Sequence, residues 1–218
     1  MSADSQYEFQ VFTSQELQEH PCLLSLWSMI NSAFISHRKG FLQPSHRDSD
    51  RFQTPQDVIS DLGPHGLCCV LFIADDTYTP IAYAGVKPYK EHFRLEVGGD
   101  VDYSGSRPTH WYSIIDWELS SVVVQDDARY ARKGFAARCC TKVESALVNR
   151  FRDERSKQQD DRGMPEKITI WIQAIRELAG AYWSRRGYQE VSVKRVGAGR
   201  WGAARPFDLI TGKKELAM

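Results

Sequence analysis

The stretch WYSIIDWELSSVVV, residues 111–124, constrains the fold more than any other part of the chain. It is rich in aromatic and β-branched residues, which is typical of a central β-strand. A turn then leads to GFAARCCTKVESALVNRF, residues 134–151, whose apolar residues share one helical face. A buried strand that feeds into an amphipathic helix predicts a sheet with helices packed on it.

The rest of the chain supplies the other elements of such a domain. Alternating or apolar runs predict strands over 7–12, 66–75, 79–89, 168–173, 188–196 and 207–211. Helices are predicted from Thr13 or Ser14 to Phe34 with a break near Pro21, over 54–62 behind the N-cap Thr54, and over 176–186 up to Gly187. We therefore predict one α+β domain over residues 1–218, a mixed central sheet flanked by helices, with loop insertions near 36–53 and 90–110.

The composition narrows the classes of partner. Lys and Arg together number 28, as do Asp and Glu, so the formal net charge is zero and nucleic acid is disfavoured as a partner. The first ten residues lack a basic and an apolar region, and no apolar run reaches the length of a membrane span. The expectation is a cytoplasmic protein, with a nuclear location left open. The five cysteines have no zinc-site spacing, which predicts buried free thiols and no metal.

The turn between the long strand and its helix, QDDARYARKGFA, has the features of an anion site. The first N–H groups of a helix lack internal partners and favour a phosphate. Gly134 relaxes the turn and the small Ala136 allows close approach of a ligand. Arg129, Arg132 and Lys133 add positive charge. A basic helix start that binds no ligand would have a similar sequence, so this stretch alone leaves both interpretations open.

A second stretch, ITIWIQ followed by RELAGAYWSRRGYQEVS, makes the ligand interpretation stronger. Together with the turn it resembles the GNAT superfamily of acyl-CoA-dependent N-acetyltransferases, and the tail through GRWGAARPF resembles fungal members. The resemblance covers nearly the whole chain. It implies a CoA-binding turn of the pattern Gln/Arg-x-x-Gly-x-Gly/Ala and a late helix with Ala-x-x-x-Tyr-x-x-x-Gly-Phe.

This resemblance also assigns site residues. It implies that acetyl-CoA is held by the end of the fourth strand and by amides of the turn: Val122, Val123, Val124, Arg129, Arg132, Lys133, Gly134, Phe135, Ala136 and Ala137. The departures are that Ala131 stands where Gln or Arg is usual, and that Trp183 stands where the family has its tyrosine, with Tyr182 one position earlier. Tyr182 and Trp183 are thus both expected near the CoA sulfur, and the tyrosine's role as proton donor is the least certain to carry over.

Two carboxylates in IIDWELSS are candidates for the catalytic base. Asp116 and Glu118 are two residues apart, so they face the same side of the strand. Among apolar neighbours a buried carboxylate has a raised pKa, which suits a base near neutral pH. Glu118 also falls where some histone-type members of the family keep a catalytic glutamate. The alternative is that both carboxylates pair with Arg or Lys and take no part in chemistry.

The resemblance therefore implies an acyltransferase that moves an acetyl group from acetyl-CoA to a primary amine by direct transfer in a ternary complex. The acceptor is expected to be a small molecule, with a protein or peptide amine left open, and the chain a monomer or homodimer. Two alternatives keep the fold: a different reaction on a small molecule, such as condensation, cyclisation or thioester hydrolysis, or a non-catalytic acyl-CoA-binding module.

Overall fold

The part of the chain that the structure describes forms one mixed sheet of seven strands, in the spatial order 7–13, 67–73, 76–88, 116–124, 167–175, 207–217 and 189–196. The computed structural model describes residues 6–43, 50–89, 114–157 and 166–218. The strands are β1 (Tyr7–Thr13), β2 (Leu67–Ile73), β3 (Asp76–Pro88), β4 (Asp116–Val124), β5 (Lys167–Ile175), β6 (Gln189–Val196) and β7 (Phe207–Ala217). The helices are α1 (Ser14–Glu19), α2 (Leu23–Arg38), α3 (Pro55–Leu62), α4 (Phe135–Lys157) and α5 (Ala181–Arg185). The predicted α+β class and the mixed sheet flanked by helices are confirmed.

Helices cover both faces of the sheet. On one face α4 packs its buried residues against alternate residues of the strands, with Trp117 meeting Phe151 edge to face at 6.1 Å. On the other face α1, α2 and α3 cover the remaining strand positions, including Cys68, Val70 and Val123. All five cysteines are buried free thiols in these two layers. Neighbouring strand residues alternate between these two layers. Both layers consist mainly of apolar side chains, so a charged side chain in either layer is an exception.

Local sequence signals set most helix boundaries as predicted. Thr13 caps α1 in a capping box with Glu16, and Thr54 does the same for α3 with Asp57, behind Pro55. The first helix breaks at Pro21, as expected. Two boundaries were wrong: α2 continues to Arg38, so residues 36–38 are helical and not part of the predicted loop, and α4 continues to Lys157, six residues beyond its predicted end. The predicted insertion at 90–110 and residues 44–49 of the predicted loop at 36–53 lie outside the described residues.

The late helix has a less regular form than its sequence predicts. Residues Arg176–Gly180 form a wide π-helical turn, and only Ala181–Arg185 are α-helical. The helix then ends in a Schellman motif, in which the Tyr188 N–H donates to the Trp183 carbonyl at 3.1 Å and the Gly187 N–H to Ser184 at 3.0 Å. Gly187 takes the left-handed conformation, with φ of 85°, that this motif requires. The Trp183 and Tyr188 rings close the motif at 5.2 Å.

Candidate functional site

The two central parallel strands, β4 and β5, part from each other. Only Asp116–Glu118 pair with Thr169–Trp171, whereas β4 continues to Val124 and β5 to Ile175. We call the place where pairing stops, just after Glu118 and Trp171, the β4–β5 fork. The unpaired inner edges beyond it leave backbone groups open to a ligand.

A bulge lies on the β4 side of the fork. Tyr83 faces Val123 and Gly85 faces Ser120, so Ser121 and Val122 together oppose the single residue Ala84. Ser121 has φ of 52°, a left-handed conformation that is uncommon for a residue with a side chain. Such bulges disturb the ladder and re-aim the backbone, and they are frequent beside active sites. The backbone at Ser121 and Val122 is therefore irregular next to the fork, and regular pairing with β3 resumes at Val123.

The turn that follows β4 exposes the N-terminus of α4. Arg132 and Gly134 both have left-handed backbones, with φ of 59° and 74°. The first hydrogen bond along the helix runs from the Arg138 N–H to the Gly134 carbonyl at 3.0 Å, so the preceding amides lie at the open end of α4. Ala136 and Ala137 are half-buried in the first turn. The backbone therefore has the form of an anion-binding helix start.

The charged side chains of this turn differ in their availability. Arg129 folds back on Asp127, with a guanidinium–carboxylate distance of 2.6 Å, so its charge is partly neutralised. Lys133 lies against Tyr7, whose ring also packs on Phe135 at 4.8 Å and anchors the helix start. The Arg132 side chain is exposed. Val122 and Val124 pack towards the α4 layer and Val123 towards the opposite layer.

The late helix packs against the first turns of α4, although the two are more than forty residues apart in the sequence. Arg186 donates to the Ala137 carbonyl at 2.9 Å, and the Tyr182 hydroxyl lies 3.9 Å from the Cys140 sulfur. Trp183 is a buried core residue, 8% exposed, whereas Tyr182 is only partly buried. Burial raises the pKa of Tyr182, so its phenol stays protonated at neutral pH. Of the two candidates, Tyr182 is therefore the side chain with a proton to donate.

The predicted base Glu118 lies at the fork, and Asp116 lies two residues before it. Glu118 is 8% exposed, and its carboxylate lies 3.8 Å from the Lys87 ammonium across the strand pair. Asp116 accepts a hydrogen bond from the Trp171 indole at 2.8 Å, and Trp171 stacks on Tyr89. The alternative of pairing with a cation is thus realised for Glu118, which remains buried at the fork beside that cation.

Sequence reasoning missed three neighbours of Glu118. Lys87 is 6% exposed and donates to Asp61 of α3 at 2.6 Å, and the Ser120 hydroxyl donates to the other oxygen of Asp61 at 2.8 Å. Burial alone would raise the pKa of Asp61, but the Lys87 ammonium, the charge of Arg51 and the Ser120 hydroxyl together outweigh it and lower that pKa. We call Asp61, Lys87, Glu118 and Ser120 the fork cluster.

A signal for these residues exists in the sequence. Lys87 is a lone cation in the apolar strand IAYAGVKP, and Asp61 adjoins the buried Leu62 on the apolar face of α3. A charged side chain is almost never fully buried unless it is paired with an opposite charge. An unexpected cation in a strand and an unexpected anion in a nearby helix therefore predict an ion pair between the two.

The C-terminus of α2 links the two sides of the fork. Ser36 donates to Asp126, just after β4, and Arg38 donates to the Trp201 carbonyl in the β6–β7 connection. Phe41 continues this link by packing edge to face on Phe207 at 5.2 Å, beside the end of β5. Trp201 itself is exposed and left-handed, with φ of 53°. These contacts tie the end of α2 both to the segment after β4 and to the connection between β6 and β7.

Within the described residues, no group of three or more His, Cys, Asp or Glu is arranged to hold a metal ion. No helix in that part of the chain is both long and apolar enough to cross a membrane.

Solved structures share the fold, although no family model and no curated protein matches the chain. The GNAT-family acetyltransferase from Streptococcus pneumoniae is 8% identical, with 97% of this chain and 100% of that chain covered and a TM-score of 0.53. The ribosomal-protein-S18-alanine N-acetyltransferase from Escherichia coli is 12% identical, with 97% and 95% covered and a TM-score of 0.51. The yncA protein from Salmonella typhimurium, solved with its cofactor acetyl-CoA, is 14% identical, with 97% and 94% covered and a TM-score of 0.50.

Identities this low establish the fold alone. The chain has the fold of the GNAT N-acetyltransferases, with the fork, the bulged fourth strand and the open helix start described above. None of these three neighbours is a fungal protein, so the resemblance to fungal members stays a prediction.

Proposed function

We propose that the protein is an acyltransferase that moves an acetyl group from acetyl-CoA to a primary amine. The observation that carries the proposal is the pairing of an open fork with an adjacent anion-binding helix start, in a fold shared with acetyltransferases. The fork offers unpaired backbone to a thioester arm, and the helix start offers amides to a diphosphate. Both lie on consecutive residues, 118–137, so one extended ligand can reach both.

The reaction divides among the residues at the fork. Backbone N–H groups of Ser121–Val124 polarise the thioester carbonyl. The amine nitrogen attacks the carbonyl carbon, the carbon–sulfur bond breaks, and the nitrogen's proton passes to Glu118 directly or through water. The departing thiolate takes a proton from Tyr182 or from water. No covalent enzyme intermediate is needed, which supports direct transfer in a ternary complex.

A second candidate function follows from the departures in the two motifs. Trp183 is part of the core and cannot protonate a thiolate, and Ala131 contributes no charge to the turn. These departures favour a protein that binds acyl-CoA but performs condensation, cyclisation or thioester hydrolysis, or no reaction at all. In that case the fork would still accept the acyl group while amine acetylation would be absent.

Two measurements separate these functions. Isothermal titration with acetyl-CoA tests the binding site, and absence of heat at millimolar concentration would exclude both candidates. Incubation of a metabolite extract with labelled acetyl-CoA, followed by mass spectrometry, then identifies any acetylated amine. Release of free thiol without a labelled amine would favour the second candidate. The small-molecule acceptor and the monomer or homodimer remain predictions, which extract analysis and sizing of the same preparation test. The cytoplasmic location also remains a prediction.

A further inference from the structure

Two arginines face one aromatic ring at the open side of the fork. The Arg51 guanidinium lies 4.5 Å from the Phe34 ring centroid and 5.1 Å from that of Phe52. The Arg38 guanidinium lies 5.8 Å from the same Phe34 ring. We call Arg38 and Arg51 the arginine pair. Aromatic faces hold guanidinium groups flat without neutralising their charge.

The arginine pair has unused positive charge. Among the described residues, no carboxylate oxygen forms an ion pair with either guanidinium, and the buried Nε of Arg38 has no hydrogen-bond partner. Burial and the charge of Arg51 both lower the pKa of Arg38, so the two cations repel each other. Burial also lowers the pKa of Arg51, although its side chain retains exposed surface. By accessible surface Arg51 is exposed and Arg38 half-buried, so a ligand can reach the pair from solvent.

The position of Arg51 is fixed by its neighbour. The Phe52 carbonyl accepts hydrogen bonds from the Trp27 indole at 2.8 Å and the Asn31 amide at 2.9 Å. The Phe52 N–H donates to the Asn31 side-chain oxygen at 3.0 Å. Asn31 is buried and polar, so a buried donor–acceptor pair holds the backbone next to Arg51. This is the kind of support that preorganises a binding residue.

The arginine pair lies beside the fork cluster. Arg51 is close enough to Asp61 and Glu118 for their charges to favour its protonated form. Arg38 donates to the Trp201 carbonyl. Near the fork, the carboxylates of Asp61 and Glu118 therefore lie close to a cation that forms no ion pair with a carboxylate of the described residues.

We propose that the arginine pair binds an anionic group of the acceptor, so that the acceptor is a small amine that also carries a carboxylate or a phosphate. This inference rests on the proposed function and narrows its substrate class. The amine of such an acceptor faces Glu118, and its anion lies between Arg38 and Arg51. The planar guanidinium groups suit two-oxygen recognition of either anion. Binding also relieves the repulsion between the two cations of the pair.

A panel of matched amines tests the inference. The panel holds ω-amino acids of several lengths, their primary amides, and aminoalkyl phosphates of equal length, each assayed by thiol release from acetyl-CoA. For the best-matching length we expect kcat/KM for the anionic member to exceed that for the amide by about 10- to 100-fold, since a charged hydrogen-bonded pair has that effect. The better of the carboxylate and phosphate members identifies the anionic group.

Arg51→Met should bring the ratio of anionic to amide kcat/KM close to one. Arg51→Lys keeps the charge but removes the planar fork and should give an intermediate ratio. The matched control is Arg152→Met, an exposed arginine of α4 on the opposite face of the sheet from the arginine pair, which should leave the ratio unchanged. If Arg51→Met does not fold, the ratio of anionic to amide kcat/KM in the wild type and in Arg51→Lys still tests whether the arginine pair binds the anion.

The two levels of the proposal fail in different ways. Failure of acetyl-CoA to bind by titration overturns the proposed function. Acetylation of amides as fast as of their acids, or an unchanged ratio in Arg51→Met, overturns the acceptor class and leaves the function standing. If acetyl-CoA binds and no panel member is acetylated, the thermal midpoint decides. A rise with the acids and phosphates but not with the amides, lost in Arg51→Met, supports the anion site, and equal shifts overturn it.

Discussion

Two buried glutamates in this molecule pair with lysine, and they differ in what surrounds them. Glu144 of α4 lies 2.7 Å from Lys214 and 3.4 Å from Arg186, and it accepts a hydrogen bond from the Tyr188 hydroxyl at 3.1 Å. Glu118 lies 3.8 Å from Lys87 in the fork cluster. The side chains are almost equally buried, at 7% and 10% exposure. Burial and charge alone therefore do not distinguish them.

Position in the sheet does distinguish them. Glu144 joins α4 to β7 and to the end of the late helix, and its partners fill its hydrogen-bonding capacity within packed elements. Glu118 lies on the last rung before β4 and β5 part, so a ligand in the fork can approach it. A buried carboxylate paired with a cation is therefore a candidate for function where the backbone beside it is left unpaired, as it is at Glu118.

Removing the Glu118 carboxylate should have the largest effect on activity. We expect Glu118→Gln to lower kcat about 10²- to 10⁴-fold, the range for loss of a general base. Folding should change little, because Lys87 keeps Asp61 as its partner. Steady-state kinetics with acetyl-CoA and the best acceptor, with thermal unfolding of the same sample, measure both.

Asp116→Asn and Glu215→Gln are the comparisons for that variant. Asp116→Asn keeps an oxygen for the Trp171 indole, and Glu215 is an exposed partner of Lys167 on β7. Equal losses in Glu118→Gln and Asp116→Asn, or undiminished turnover in Glu118→Gln, would remove Glu118 from the role of base.

Glu144→Gln, in contrast to Glu118→Gln, should lower stability and not turnover. Removing this charge leaves the half-buried Arg186 and Lys214 without a carboxylate, which should lower the free energy of unfolding by about 3 kcal/mol. Chemical denaturation measures the loss. The matched control is Glu154→Gln, whose exposed i,i+3 pair with Lys157 should contribute less than about 1 kcal/mol. Loss of turnover without loss of stability in Glu144→Gln would contradict the division drawn between the two glutamates.

The sequence predicted the elements that depend on local signals. The capped helices α1 and α3, the break at Pro21 and the amphipathic α4 all follow from residues within a few positions of each other. The late helix was predicted as regular, and its π-helical first part was missed. The bulge at Ser121 was also missed, because bulges arise from the register between strands and not from one strand's composition.

The candidate site was predicted only along the chain, and its contacts across the fold were not. Glu118 and Gly134 stand in motifs, whereas Asp61, Lys87 and Arg51 become neighbours of Glu118 only when α3, β3 and the residues before α3 pack together. A single sequence carries no pairing information of this kind beyond charges at apolar positions.

A glycine variant tests the turn that places Tyr188, a hydrogen-bond donor to Glu144. Gly187→Ala forces a side chain into the left-handed conformation that ends α5 and places Tyr188 beside Glu144, and it should cost about 1–2 kcal/mol of stability. A Cβ there meets no neighbour within 4 Å, so the cost is conformational. Gly197→Ala is the control, since that glycine has equal space and no left-handed backbone. Equal stability of the two variants would mean that the turn relaxes without strain.

The smallest expected effect concerns pH and the fork cluster. Asp61 has a folded-state pKa below its usual 3.8, chiefly because Lys87 outweighs the effect of burial. A depressed pKa means that the folded state binds this proton less tightly than the unfolded state, so the ionised carboxylate stabilises the fold above pH 4 and this stabilisation disappears as pH falls through the folded-state pKa. Asp61→Asn should therefore be less stable than wild type at pH 7, and the gap should narrow below about pH 4. Urea unfolding of both proteins between pH 3 and pH 7 measures it. If the difference in stability between the two proteins stays constant with pH, the Lys87–Asp61 pair contributes packing alone. The charges of the fork cluster would then not stabilise the fold, in contrast to those expected to do so around Glu144.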